Sequence, residues 1–272
     1  MMALPSTSAA IDGPPEEEGT GVGHDQLVRG RSGFAAIVLE RLVALDENMA
    51  SQLDRAAELI WLALRRQRLV HVGGAGHSTL FALEAFYRAG GLAAVNPIWH
   101  PALLPLAGAR MSTFTERVSG FGSELIRSAD VAKGDVVVIF SNSGVNPVPV
   151  EMGETAKALG ASVIAVLSLD HCRSVPSRHP TGMRLPDVAD VVIDTGGPIG
   201  DAGYCPRPGT PAVAPLSTLL GAYIWGALLV RLADRAETSG EDLPVWTSAN
   251  IPDGDAQAAP HVARFAKRIR AL

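Results

Sequence analysis

The chain has 272 residues, of which 47% are hydrophobic, and a formal net charge of −5 at pH 7. This length allows one large domain or two small ones, and the hydrophobic content is sufficient for a substantial core. The negative charge argues against nucleic acid as a main partner, because a phosphate backbone requires clustered lysine and arginine. The longest apolar run, Leu219 to Val230, is too short to span a membrane, and the N-terminus lacks a secretory signal. We therefore expect a cytoplasmic protein with no membrane partner.

The N-terminal part divides into two segments of different composition. Residues 1–25 are rich in proline, glycine, serine and glutamate, which predicts a disordered leader. From Ser32 to Gln67 apolar residues recur at helical spacing, which predicts one long helix or two consecutive ones. Such a helix could form an oligomer interface or pack on its own sheet, and the pattern allows both. We expect residues 26–272 to form a single domain with this helical extension.

Predicted strands and helices alternate along the rest of the chain. The strands are predicted at 69–73, 92–95, 135–140, 162–167 and 190–193, and the helices at 78–89, about 115–128, 147–158 and 216–236. Such alternation is typical of an α/β fold in which helices cover both faces of a parallel sheet. The long clusters of glycine and proline at 96–110 and 195–215 indicate functional or mobile loops.

Small polar residues follow two of the predicted strands. Gly-Gly-Ala-Gly-His-Ser occupies 73–78, and Ser-Asn-Ser-Gly occupies 141–144. Parallel strands bring such turns to one edge of the sheet, where backbone N–H groups and hydroxyls favour a phosphate. Plain helix capping by Ser78 and Ser143 is the alternative. A dinucleotide turn is excluded because Thr79 stands where its last glycine would be, and the chain contains no Gly-Lys-Ser/Thr or Gly-x-Ser-x-Gly motif at these turns.

The pattern Gly-x-Gly-x-Ser after one strand and Ser-x-Ser-Gly after another resembles the SIS (sugar isomerase) phosphosugar-binding domain. The resemblance extends from about Ala35 to Leu272 and is strongest to a little-characterised group of SIS-domain proteins. That group has runs similar to those at 76–78, 86–91, 96–97, 141–144, 177–179, 189–194 and 248–250. The resemblance implies a three-layer αβα sandwich with a five-stranded parallel sheet. It also implies a homodimer or homotetramer that binds a sugar phosphate near its subunit interface.

The two turns supply the predicted phosphate and sugar contacts, which are Gly76, Ser78, Ser141, Asn142, Ser143, Gly144 and Asn146. Other polar residues are predicted to reach the same site. These are Arg178 and His179 from the Ser-Arg-His run, and Asn48 of the first long helix, which would contact a sugar in a neighbouring subunit. The spacing of the histidines does not match a metal site, so we expect neither a metal nor another cofactor.

Glu84 is the predicted catalytic base. It lies six residues after Ser78 among apolar neighbours, which would raise the pKa of its carboxyl group. The alternative is an ion pair with Arg88 at the i+4 position. His77 in the first turn and His100 in the following loop are predicted to assist as acid or base, although each could instead be an ordinary turn or surface histidine.

Three functions remain open on this basis. The first is an enzyme that removes the C2 proton of an N-acetylamino-sugar 6-phosphate and expels the C3 substituent, as a dehydratase or etherase-like lyase. The second is an aldose–ketose isomerase, and the third is a sensor that binds a sugar phosphate without chemistry. The ionisable groups near the predicted pocket favour an enzyme, and the partial resemblance to the etherases within the SIS family favours elimination.

Overall fold

The computed structural model describes residues 33–272, so the predicted leader lies outside the described residues. A five-stranded sheet forms its centre, with the strand order β2-β1-β3-β4-β5 and every neighbouring pair parallel. The strands are β1 (Val70–Gly74), β2 (Val95–Ile98), β3 (Val136–Phe140), β4 (Ser162–Leu167) and β5 (Val191–Asp194). The predicted α/β class and five-stranded parallel sheet are therefore confirmed.

Nine α-helices and a small hairpin surround this sheet within residues 33–272. The helices are α1 (Gly33–Arg65), α2 (Leu80–Ala85), α3 (Ala109–Thr115), α4 (Phe121–Ser128), α5 (Pro147–Ala158), α6 (Leu169–Ser174), α7 (Leu185–Val188), α8 (Ser217–Ser239) and α9 (Gly254–Phe265). Strands β6 (Ala202–Tyr204) and β7 (Val213–Pro215) pair antiparallel. Among these residues, no helix has the length and apolarity needed to cross a membrane.

The two faces of the sheet carry separate apolar cores, because successive side chains of a strand point to opposite faces. Along β3, Val138 and Phe140 pack with α1 and α8, whereas Val137 and Ile139 pack with α4 and α5. Strands buried on both faces explain why the sequence shows continuous apolar runs rather than alternation. The arrangement is the three-layer αβα sandwich that the sequence predicts.

The long N-terminal element is one continuous helix. Leu53 and Ile60 of α1 are fully buried, and α1 packs against α8 and β5. Of the two predicted roles for this segment, packing on its own sheet is the one observed.

Several predicted boundaries are wrong for identifiable reasons. The helix predicted to reach residue 89 ends at Ala85, because Phe86 is extended and Tyr87 has a positive φ of 47°. The strand predicted at 92–95 occupies Val95–Ile98 instead. The helix predicted over 115–128 is two helices, α3 and α4, separated by a turn in which Gly120 has φ 88°. The short elements α6, α7, α9, β6 and β7 have no counterpart in the prediction.

Candidate functional site

The chain reverses its direction of winding between β1 and β3, which are neighbours in the sheet. From β1 the chain goes outward to β2, and from β3 it goes outward to β4 on the opposite side. The loops after β1 and β3 therefore diverge and leave a crevice at the carboxyl ends of the strands, the position at which open α/β sheets bind ligands. We call residues 75–79 the first turn and residues 141–146 the second turn.

The first turn begins where the two strands are in close contact. A Cβ atom on Gly74 would lie 2.5 Å from the carbonyl oxygen of Phe140, so only glycine fits. Gly76 has φ 60°, and the Thr79 hydroxyl donates to the carbonyl of Gly74 at 3.2 Å. The Ser78 hydroxyl has no hydrogen-bond partner among residues 33–272, and α2 has no side-chain cap. The capping alternative for Ser78 is thus not realised, and His77 beside it is exposed.

The second turn also presents polar groups without partners. The amide of Gly144, which has φ 62°, donates to the Ser141 hydroxyl at 3.1 Å and closes the turn. Within the described part of the chain, the side-chain oxygen of Asn142 is buried with no hydrogen bond, and the Ser143 hydroxyl is likewise unpaired. Helix α5 starts after Asn146, which makes no side-chain cap. The Ser143 hydroxyl and the Asn142 side-chain oxygen are therefore the groups of this turn that a ligand could satisfy.

Glu116, which the sequence reasoning missed, stands between the two turns. The Asn146 side-chain amide donates to one of its carboxylate oxygens. The other oxygen, Oε2, lies 3.5 Å from the position that a Cβ atom on Gly76 would occupy. The Glu116 carbonyl accepts from the amide of Val148 at 3.2 Å. One carboxylate thus contacts the second turn directly and faces the first.

The electrostatics of Glu116 suit proton transfer. Burial raises the pKa of its carboxyl group, and the nearby positive charges of Arg117 and Arg178 only partly offset that rise. Arg178 donates to the Asn146 side-chain oxygen at 3.0 Å, and its own amide donates to Val145 in the second turn. Arg178, Asn146 and Glu116 therefore form a connected row of side chains along the crevice.

The structure pairs the predicted base Glu84 with a cation. Its Oε2 atom lies 2.5 Å from Nη1 of Arg88, and 34% of the side chain is exposed. Arg88 thus places a positive charge beside the Glu84 carboxylate in addition to its apolar neighbours in the sequence. The ion-pair alternative is the one observed.

Three other predicted residues lie at different distances from the crevice. His100 is exposed, its Nδ1 atom accepts from the amide of Ala102 at 3.1 Å, and its ring edge contacts Phe121. Asn48 is exposed on α1 and makes no hydrogen bond to either turn within residues 33–272. His179 is buried, with Nδ1 2.8 Å from the Thr181 hydroxyl and Nε2 3.5 Å from Glu154 on α5. The partners of its imidazole are thus Thr181 and Glu154 and not residues of the two turns.

The orientation of His179 follows from its local turn. The Ser177 hydroxyl accepts from the His179 amide at 3.1 Å and donates to the carbonyl of Met183. These bonds fix the local turn, in which the imidazole faces Glu154 of α5. Within residues 33–272, no group of three or more His, Cys, Asp or Glu residues is arranged to hold a metal ion.

Comparisons with known proteins agree with this architecture. The family model of the SIS domain matches residues 33–168. A UPF0309 protein of Shouchella clausii is 39% identical over 205 residues, which cover 75% of this chain and 83% of that protein. A UPF0309 protein of Listeria innocua is 34% identical over 241 residues, or 89% of this chain and 98% of that protein.

Among solved structures, a phosphoheptose isomerase of Neisseria gonorrhoeae matches 75% of this chain and 93% of its own, with 19% identity and a TM-score of 0.46. That likeness is too small to support a statement about function. The sequence matches are decisive by themselves: the chain belongs to the SIS-domain family and, within it, to the UPF0309 proteins.

Proposed function

We propose that this protein is a sugar-phosphate enzyme that removes the C2 proton of its substrate, with Glu116 as the general base. The observation that carries the proposal is the position of Glu116. Its carboxyl group, whose pKa is raised by burial, stands between two turns that present unpaired hydroxyl groups. A phosphate in the crevice would bring the open-chain end of a sugar close to this carboxylate.

The phosphate would be bound by the two turns. Ser78 and Ser143 have hydroxyls with no partner among the described residues, and the Asn142 side chain adds a further polar group. Hydroxyls and main-chain N–H groups can hold a phosphate dianion without lysine. Local recognition of this kind agrees with a chain whose net charge is −5.

Glu116 is better suited than Glu84 to act as the base. A general base needs a pKa near the working pH, which burial provides for a carboxyl group. Glu116 has this environment, whereas Glu84 is engaged by Arg88 and partly exposed. Arg178 lies beside Asn146 and would stabilise the negative charge that develops on the substrate oxygen when the proton leaves.

The substituent at C2 would decide the product. With an N-acetylamino sugar 6-phosphate, the carbanion would expel the C3 substituent, and we propose this elimination first because of the resemblance to the SIS-family etherases. Aldose–ketose isomerisation is the second candidate. It is favoured by the half-buried carboxylate of Glu116, because one carboxylate can take the proton from C2 and return it to C1.

We further propose that the protein acts as a homodimer or homotetramer with the crevice near the interface. Several large apolar side chains are exposed, including Leu83, Trp99, Phe114 and Leu106, the last of which is 98% exposed. A cavity of about 360 Å³ opens among Leu80, Leu83 and Trp99. Exposed apolar patches of this kind mark interaction sites. Size-exclusion chromatography with light scattering should therefore give a molecular mass of more than one chain.

The proposed reaction can be tested by proton NMR in D₂O with a panel of sugar 6-phosphates that includes the N-acetylglucosamine and N-acetylmuramic acid forms. Loss of the C2 proton with a new vinyl signal is the expected result and would establish elimination. C2 exchange with a ketose product would establish the isomerase. If no sugar in the panel exchanges its C2 proton but one of them stabilises the protein thermally, the protein is a sensor and the catalytic proposal is wrong.

A further inference from the structure

A buried carboxylate lies on the helix that follows the second turn. Glu151 of α5 is only 6% exposed. Its Oε1 atom accepts from the amide of Gly120 at 2.7 Å, and its Oε2 atom accepts from the amide of Gly122 at 3.1 Å. No lysine, arginine or histidine within residues 33–272 forms an ion pair with it. The amides at the start of α4 therefore stabilise this charge, as expected at a helix N-terminus.

Helices α4 and α5 pack so closely at Gly122 that a side chain larger than hydrogen does not fit there. A Cβ atom on Gly122 would lie 2.3 Å from the Val148 carbonyl and 2.9 Å from the Cβ atom of Glu151. Gly120 has φ 88°, a conformation that other residues rarely adopt. The chain thus makes its turn directly over the carboxylate of Glu151.

The turn at Gly120 is also the C-terminal end of the segment 116–120, which carries Glu116 at its other end. Residues 117–119 between Glu116 and Gly120 are all exposed and contribute little packing. At its near end the segment is held by the end of α3, where the Glu116 amide donates to the Ser112 carbonyl at 3.1 Å, and by the bond from the Val148 amide to the Glu116 carbonyl. At its far end it is held by the two bonds to Glu151. The bonds from Val148 and Glu151 come from the first turns of α5, so they fix the segment relative to the second turn.

We propose that Glu151 is a positioning residue for Glu116, because its carboxylate fixes the turn that keeps Glu116 over the crevice. The importance of this position rests on the proposed function, in which Glu116 is the base. The mechanical dependence of Glu116 on Glu151 does not rest on it, and it can be measured without any substrate. In the absence of these bonds the segment 116–120 would loosen, and water would reach the Glu116 carboxyl group.

The test is a pH titration of protein labelled with ¹³C at the glutamate carboxyl groups, with the Glu116 signal assigned by its loss in Glu116→Gln. We expect the raised pKa of Glu116 to fall by about one unit in Glu151→Gln, because the carboxyl group regains its hydration. Glu124→Gln is the matched control. Glu124 lies in the first turn of α4, the turn whose Gly122 amide bonds to Glu151, but it is exposed and pairs with Arg127. The Glu116 midpoint should therefore not change in Glu124→Gln.

A second variant separates position from charge. Glu151→Asp keeps the charge but is one methylene shorter and cannot reach both amides, so positioning predicts the same fall in this variant. A shift in Glu151→Gln without one in Glu151→Asp would mean that only the charge matters, and it would overturn the proposal. An unchanged Glu116 midpoint in both variants would also overturn it. If Glu151→Gln does not fold, Glu151→Asp decides alone. Lack of turnover with every sugar phosphate would contradict the proposed function but leave this titration valid.

Discussion

Replacement of Asn146 by alanine tests the account of Glu116 most sharply. In the wild-type protein the Asn146 side-chain amide donates to the Glu116 carboxylate and accepts from Arg178 at 3.0 Å. The bond to Glu116 favours the ionised form of the carboxyl group. Its loss, together with a less firmly held Arg178, should therefore raise the pKa of Glu116 further.

The size of the effect follows from the type of bond. A hydrogen bond to a charged group contributes about 1.5–3 kcal/mol. One pKa unit corresponds to about 1.4 kcal/mol, so Asn146→Ala should raise the Glu116 pKa by about 1–2 units. The assay is ¹³C NMR of the glutamate carboxyl groups over a pH series, with Asn250→Ala as an exposed control that lies outside both turns. An unchanged or lowered Glu116 midpoint in Asn146→Ala would show that the Asn146 bond does not stabilise the ionised carboxylate.

The same substitution changes how stability depends on pH. A carboxyl group whose pKa is raised by folding stays protonated in the native state after it has ionised in the unfolded state. The free energy of unfolding therefore falls as pH rises from the ordinary glutamate value of 4.5 to the raised value. In Asn146→Ala this fall should continue to higher pH, and in Glu116→Gln this contribution should disappear. Urea unfolding at several pH values measures both effects.

Three other substitutions give separate checks. Asp135→Asn should lower the free energy of unfolding by about 3 kcal/mol, because the buried carboxylate accepts from His71 at 3.1 Å and from two amides; an unchanged urea midpoint would contradict this. Gly144→Ala should lower the free energy of unfolding more than Gly196→Ala does. Both glycines have φ near 60°, but a Cβ atom on Gly144 would lie 2.7 Å from Leu167, whereas a Cβ atom on Gly196 would meet no atom within 4 Å. Equal melting temperatures of the two variants would contradict this difference in packing. Ser143→Ala should raise KM about tenfold through one lost charge-assisted bond, and an unchanged KM would place the phosphate elsewhere.

Features set by local sequence were predicted well. Helix α5 and strand β4 have the predicted bounds, 147–158 and 162–167, because proline marks the start of α5 and a continuous apolar run forms β4. The crevice was also predictable, since small polar residues after two buried strands must meet at one edge of a parallel sheet.

Features set by distant contacts were not predictable. Residues 92–94 look like a strand, but Leu92 pairs with Val245 and the amide of Ala93 donates to Pro244. Sheet pairing therefore starts at Val95. Glu116 was missed because the surrounding residues read as one amphipathic helix, in which a glutamate belongs to the solvated face. The local signal against one helix was the pair Ser119 and Gly120. The residue that bonds to Gly120, Glu151, lies 31 residues further along the chain.

The central claim is that Glu116 removes the C2 proton, and the most direct test compares wild type, Glu116→Gln and Glu84→Gln. The measurement is the rate of C2-proton exchange in D₂O with the sugar 6-phosphate that the wild-type protein turns over. The account predicts that Glu116→Gln abolishes exchange while the sugar phosphate still stabilises the protein thermally, and that Glu84→Gln retains exchange. Exchange at the wild-type rate in Glu116→Gln, with loss in Glu84→Gln, would contradict the account and identify the carboxylate on α2 as the base.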